Sequence, residues 1–164
     1  MSDAILTLDR DGIAALIPHS GTMCLLARLD AWSAQHIVCA ATNHRDADHP
    51  LRTRRGLLAP AAIEYAAQAM ALHGALIGQA AGTPALPGYL ASARGVLLNV
   101  LRLDDLPRTT SAPSHAVAVD ELRIEATRQA GDARQILYTF TVHHAERLLA
   151  EGRAAVVLNT PLAA

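Results

Sequence analysis

Lysine is absent from this chain. All 14 cationic side chains among its 164 residues are arginines, which excludes both Schiff-base chemistry on a lysine and a phosphate-loop lysine. Cysteine is almost absent too. Cys24 and Cys39 sit in apolar runs, are too few for a disulfide framework, and read as buried thiols of a reducing, cytoplasmic compartment. A formal net charge of -1 and a pI near 6.7 leave no global field to attract nucleic acid. G-x-S-x-G and G-x-G-x-x-G are both missing. So are internal repeats, linkers and low-complexity tracts. The opening "MSDAILTLDRDG" is acidic and breaks its apolar run early, which does not suit a secretory signal.

What is present is one domain's worth of chain with a long, nearly uncharged segment, "PAAIEYAAQAMALHGALIGQAAG", residues 60–82. Its length would span a bilayer, but Glu64, Gln68, His73 and three glycines make insertion costly. A buried core helix is expected instead, with Pro60 in its first turn, where the missing N–H costs nothing.

Upstream, "LDRDGIAALIPHSG" predicts a short helix capped by Asp9 or Asp11 and ended by Pro18. Residues 23–43 predict a hairpin around the polar break Ser33–Gln35. "HRDADHPLRTRRG" reads as a loop. Downstream, residues 88–103 form a β-like run, followed by the loop "DDLPRTTSAPS" and three further strands. Among them Tyr138, Phe140 and Val142 alternate with Thr139, Thr141 and His143 as in a half-buried strand. Gly131-Asp132 marks a tight turn. A parity shift at Asp120 predicts a β-bulge. A helix apolar on nearly every side needs cover on every side, from a curved sheet and a second subunit. The class is α+β.

The lone carboxylate of that helix invites a chemical reading. Glu64 lies about one turn in, with Gln68 at i+4 on the same face. The helix dipole would lower its pKa, an effect worth ~0.3–1 kcal/mol. Full burial would raise it, by up to ~3–5 units, and make it a usable general acid. His49 ends a loop that feeds into the helix and is the expected base, with His44 its rival. His44 and His49 have no cysteine partners or other metal-ligand spacing, and His143 and His144 would point to opposite faces of a strand, so no metal is expected. His73, half a turn from Glu64 on the helical wheel, is expected as a satisfied core or interface histidine. Gly74, Gly78 and Gly82 recur every four residues and suggest close packing. Arg52, Arg54 and Arg55 form a small basic patch suited to an acidic carrier protein or a phosphate.

Three stretches carry a resemblance. "LIPHSGTMCLLARLDAW" is similar to the "LPHR-x-P-F-L-L-V-D-R-V" opening of bacterial 3-hydroxyacyl-[acyl-carrier-protein] dehydratases of the hotdog fold. "IEYAAQAMALHGAL" resembles their central-helix signature of an acid followed by "x-A-x-A-Q", and "GRAAVVL" their last strand. The closest likeness is to the branch of aryl-polyene-type pathways. The resemblance implies a curved antiparallel sheet wrapped round one long helix, a homodimer, an acyl tunnel at its interface, and no cofactor. The substrate would be a thioester on acyl carrier protein or coenzyme A.

In that family a His and an acid from opposite subunits eliminate water. Carried over, Glu64 is the acid, His49 takes the α-proton, and Gln68, Ala59 and Tyr65 are the expected substrate contacts. Backbone N–H groups at the helix start would polarise the thioester carbonyl. The chain departs from the pattern in three ways. His49 is followed by Pro50-Leu51 where "HFP" is usual, the His-to-acid spacing is one residue longer, and Ala59-Pro60 replaces Pro-Gly.

Overall fold

The structure is a computed structural model in which residues 7–83, 88–108 and 120–158 are described. The described elements are β1 (Leu8–Asp9), α1 (Arg10–Ala14), β2 (Arg28–Trp32), β3 (His36–Ala41), α2 (Ala61–Ala80), β4 (Gly88–Leu98), β5 (Leu122–Gly131), β6 (Gln135–His144) and β7 (Arg147–Leu158). The strands form one seven-stranded sheet in the order β1-β2-β3-β5-β6-β7-β4. Every pairing is antiparallel. The long helix packs across the face of this sheet against β3, β5 and β6.

Local chemistry sets most boundaries where the sequence placed them. Asp9, rather than Asp11, caps α1 by accepting from the Gly12 N–H at 3.0 Å. In the β2–β3 turn the Ser33 hydroxyl accepts from the N–H groups of Gln35 and His36. Asp132 does the same for Arg134 and Gln135 between β5 and β6. The alternation in β6 is as expected, with Tyr138, Phe140 and Val142 facing the core and almost inaccessible. They meet Leu72, Leu76, Ile124 and Ala126 in one apolar cluster. Full burial of such a side chain contributes roughly 1.5–3 kcal/mol.

Two expectations change, and a third lies partly outside the described residues. The glycine series does not make a packing stripe inside the protomer, because a Cβ at Gly74 would meet nothing within 4 Å. Gly82 ends the helix. Its φ of +67° is left-handed, and Thr83 donates back to the Gly78 carbonyl at 2.9 Å. The run expected over residues 88–103 stops at Leu98, after a bulge at Gly95, whose φ is +59°. Of the bulge expected at Asp120, the upstream half lies outside the described residues. Asp120 itself precedes β5, and β5 shifts register further on, between Arg128 and Ala130.

Among the described residues β4 is an edge strand with one side unpaired. Tyr89, Leu97 and Leu98 are exposed along it, and Leu101 just beyond is 88% exposed. An apolar edge of this kind is a template for pairing with another chain.

Candidate functional site

The first turns of α2 present two consecutive residues, Glu64 and Tyr65, about 100° apart around the helix. Each organises a separate polar cluster.

On one side stands Glu64. Its Oε1 accepts from the Gln68 amide at 3.0 Å and faces His19 Nε2 at 3.3 Å. Gln68 is fully buried and anchors this corner. Its Oε1 accepts from the Leu25 N–H at 2.9 Å, and its Nε2 donates to the Met23 carbonyl at 2.8 Å. The i+4 relation read from sequence is therefore real. Glu64, however, is not sealed. Its side chain keeps 32% of its exposure and that of His19 keeps 27%. Oε2 has no partner among the described residues. One carboxylate oxygen is thus open, while the other is clamped. His19 Nδ1 is buried with no partner, so the imidazole meets Glu64 through one nitrogen only.

On the other side stands Tyr65, fully buried. His49 Nδ1 accepts from the Leu51 N–H at 3.1 Å, so His49 Nε2 must carry the ring proton, and it donates to the Tyr65 oxygen at 2.9 Å. The Tyr65 hydroxyl then donates to Asn43 Oδ1 at 2.6 Å. Burial pushes the His49 imidazole below its ordinary pKa and raises that of Tyr65, so both are neutral near pH 7. His49 is the histidine expected beside the carboxylate. Within one protomer it bonds Tyr65 rather than Glu64, and both of its ring nitrogens are engaged.

The remaining expectations separate in the same way. Ala59 is buried, and its N–H is spent on the Leu101 carbonyl at 3.0 Å. Ala61, Ala62 and Ile63 donate to the carbonyls three residues back at 3.0–3.1 Å. The N–H groups expected to polarise a carbonyl at the helix start are therefore internally paired by tight first-turn bonds. Of the arginine patch, Arg52 is tied to Asp104 at 3.0 Å, whereas Arg54 and Arg55 are exposed and make no ion pair among the described residues. His73 is the satisfied core histidine foreseen. Its Nε2 donates to the Ser33 carbonyl at 2.7 Å, and Nδ1 accepts from Tyr138 at 3.0 Å. Cys24 and Cys39 are buried free thiols, with Cys39 pushed by burial up to about 12.

Sequence reading missed two groupings. His19 lies within the LIPHSG stretch, but nothing in its spacing ties it to Glu64. His44, Asp120 and His144 come together although they lie on three separate segments. Only the burial of one face of β6, the face carrying His144, hinted at this.

Compared with known proteins, the chain matches the family model described as "ApeP-like: ApeP dehydratase" over residues 12–163. It belongs to the ApeP-like dehydratase family. This ApeP-like chain is similar in structure to the dehydratase heterocomplex ApeI:P from Xenorhabdus doucetiae, with a TM-score of 0.75, 20% identity and 91% of each chain covered. An HP0420 homologue from Helicobacter felis matches with a TM-score of 0.55 and 15% identity, covering 99% of this chain and 96% of that one. A hypothetical thioesterase with coenzyme A from Streptococcus pneumoniae TIGR4 matches with a TM-score of 0.51 and 11% identity, over 80% and 84% of the two chains. No curated protein matches. At these identities the structural likenesses establish the hotdog fold, and the family match establishes a dehydratase-like lyase of the aryl-polyene branch. No described helix is long and apolar enough to cross a membrane.

Proposed function

We propose that this ApeP-like chain removes water from a 3-hydroxyacyl thioester carried on acyl carrier protein, with Glu64 as the acid at the 3-hydroxyl. The observation that carries this reading is the carboxylate itself. Gln68 and His19 hold one oxygen, and the other is left open at a helix end that is otherwise apolar. Elimination needs a group to take the α-proton and another to protonate the departing hydroxyl. Glu64 supplies the second through Oε2, and His19, 3.3 Å from Oε1, supports the charge that Glu64 acquires.

The α-proton falls to His49, contributed by a second subunit as the family resemblance implies. In this chain the His49 lone pair is occupied by the Leu51 N–H. His49 therefore acts only after that contact, or the one to Tyr65, has been released. Tyr65 and Gln68 shape the site from beneath, and Ala59 closes its wall.

The second subunit pairs along β4, where Tyr89, Leu97, Leu98 and Leu101 lie exposed beside an unpaired strand edge. That subunit is another copy of this chain or a related hotdog chain, as in the ApeI:P heterocomplex. Arg54 and Arg55 offer the free positive charge for an acidic carrier, a role Arg52 cannot share while it is paired with Asp104. A thioesterase is one alternative, favoured by a structural relative described with coenzyme A, and a non-catalytic acyl-binding partner subunit is the other.

The test is to incubate the purified protein with a 3-hydroxyacyl carrier-protein conjugate and follow its intact mass. Loss of one water supports the dehydratase reading. Loss of the whole acyl group replaces it with a thioesterase.

A further inference from the structure

Away from Glu64, at the end of the sheet where β5 begins and β6 ends, three ligand-type side chains converge. His144, the last residue of β6, places Nε2 2.6 Å from Asp120 Oδ1. His44, in the loop after β3, places Nε2 3.6 Å from the same oxygen. One ligand atom from each of the three lies within 4.8 Å of the others. The two imidazoles meet edge to face, with centroids 5.8 Å apart.

His44 is the anomaly. It is fully buried, yet neither ring nitrogen has a hydrogen-bond partner among the described residues. A neutral imidazole carries one donor and one acceptor, and leaving either unmet in the interior is costly. The other buried histidines of the described residues have hydrogen-bond partners, His49 in Tyr65 and Leu51, His73 in Tyr138 and Ser33, and His144 Nε2 in Asp120, whereas the partly exposed His19 and His143 each leave only a buried Nδ1 unmet. An unmet nitrogen aimed at a carboxylate already shared with a second imidazole is the arrangement a metal ion completes.

We propose that His44, Asp120 and His144 form a binding site for one divalent transition-metal ion of the zinc class. Two imidazole nitrogens and one carboxylate oxygen suit such an ion, with a fourth position left for water. At bond lengths of ~2.0–2.2 Å, tetrahedral ligand atoms stand roughly 3.4 Å apart. The observed spacings to Oδ1, 2.6 and 3.6 Å, bracket that value, and the third edge, between the two imidazoles, lies within 4.8 Å. The ion takes the Nε2 position through which His144 now donates to Asp120, and the neutral ring keeps its proton on Nδ1.

Arg45 supplies the outer support. Its Nε and Nη2 hold the two Asp120 oxygens at 2.5 and 3.1 Å, and its remaining donors reach the Asp104 and Leu106 carbonyls. It fixes the carboxylate as outer-shell partners do. Its positive charge also opposes a dication, which favours reversible over permanent binding. His44 adjoins Asn43, the acceptor for Tyr65, so an ion here would pin the loop that carries His49.

The test uses the full chain, first stripped with a chelator. Co²⁺ is titrated and its visible absorption recorded. Zn²⁺ is titrated in parallel against thermal unfolding. The proposal expects one Co²⁺ per chain and a Zn²⁺-dependent rise in Tm. His44→Leu should weaken both by more than the ~10–100-fold typical of losing an outer-shell partner. His36→Ala, which removes a histidine paired with Glu125 at the surface, should leave both unchanged. No Co²⁺ absorption in the wild-type protein overturns the proposal without reference to any variant. So does an equal response in His44→Leu, or a loss of binding only in His36→Ala.

Discussion

His49 and Tyr65 share a 2.9 Å hydrogen bond that consumes the only proton on the histidine ring, while the Leu51 N–H consumes its lone pair. The residue expected to take a proton from substrate is therefore at rest in a state that cannot accept one. Tyr65 relays this arrangement to Asn43 and so ties the loop to the helix.

Tyr65→Phe is expected to be costly for its size. It leaves Asn43 Oδ1 and His49 Nε2 buried without a partner and should lower stability by about 1–3 kcal/mol. Urea denaturation of the variant beside wild type measures this. An unchanged midpoint would show that water or another group replaces the hydroxyl.

Glu64→Ala is expected to abolish dehydration with the circular dichroism spectrum intact, since a partly exposed carboxylate does not hold the core together. Loss of a general acid or base typically costs ~10²–10⁴ in rate. His49→Ala should fall in the same range and His19→Ala in a milder one. A His19→Ala defect as deep as that of Glu64→Ala, with His49→Ala active, would transfer the base role to His19.

Acid sensitivity is the third expectation. Burial, the dominant cause, pushes the His44 imidazole down to about 4, with Arg45 and His144 adding to this and Asp120 opposing it. The unfolded chain holds that proton from ~6.5 downward. Between these values the unfolded state binds more protons, so stability falls as pH drops from ~6.5 toward 4, by a total on the order of 3 kcal/mol. The buried rings of His49 and His73 are shifted in the same direction. Chemical denaturation of metal-free protein across this range should show the slope, and His44→Leu should flatten it by about one proton.

The fourth concerns assembly. Leu97→Arg with Leu101→Arg places charge on the exposed edge of the sheet, and a shift of the solution mass toward the monomer is expected. Light scattering reads it directly. A monomeric wild-type protein would remove β4 as a pairing edge.

Much of this was legible in sequence because the signals were local. The helix cap at Asp9 or Asp11, the hairpin break at Ser33–Gln35, the alternation of β6 and the i+4 pair Glu64–Gln68 each depend on a few neighbouring residues. What escaped were contacts between distant segments. No period or motif brings His44 to His144, because sheet order makes that meeting by setting β3 beside β5 rather than β4, and none brings His19 to Glu64, which meet where the loop after α1 docks on α2 through Gln68. The expected polarising N–H groups failed for a different reason. Pro60 allowed a tight first turn in which each N–H finds a carbonyl three residues back.

Gln68 bears on how the site holds together. Its amide joins backbone groups of Leu25 and Met23, 43 and 45 residues earlier in the chain. Contacts with that much intervening chain carry a closure cost. A local opening that undocks the segment carrying His19 would leave the pairings of β3, β5, β6 and β7 formed, yet take His19 from Glu64 and the backbone anchors from Gln68. Reactivity would then follow the closed population of that one segment rather than the stability of the whole sheet.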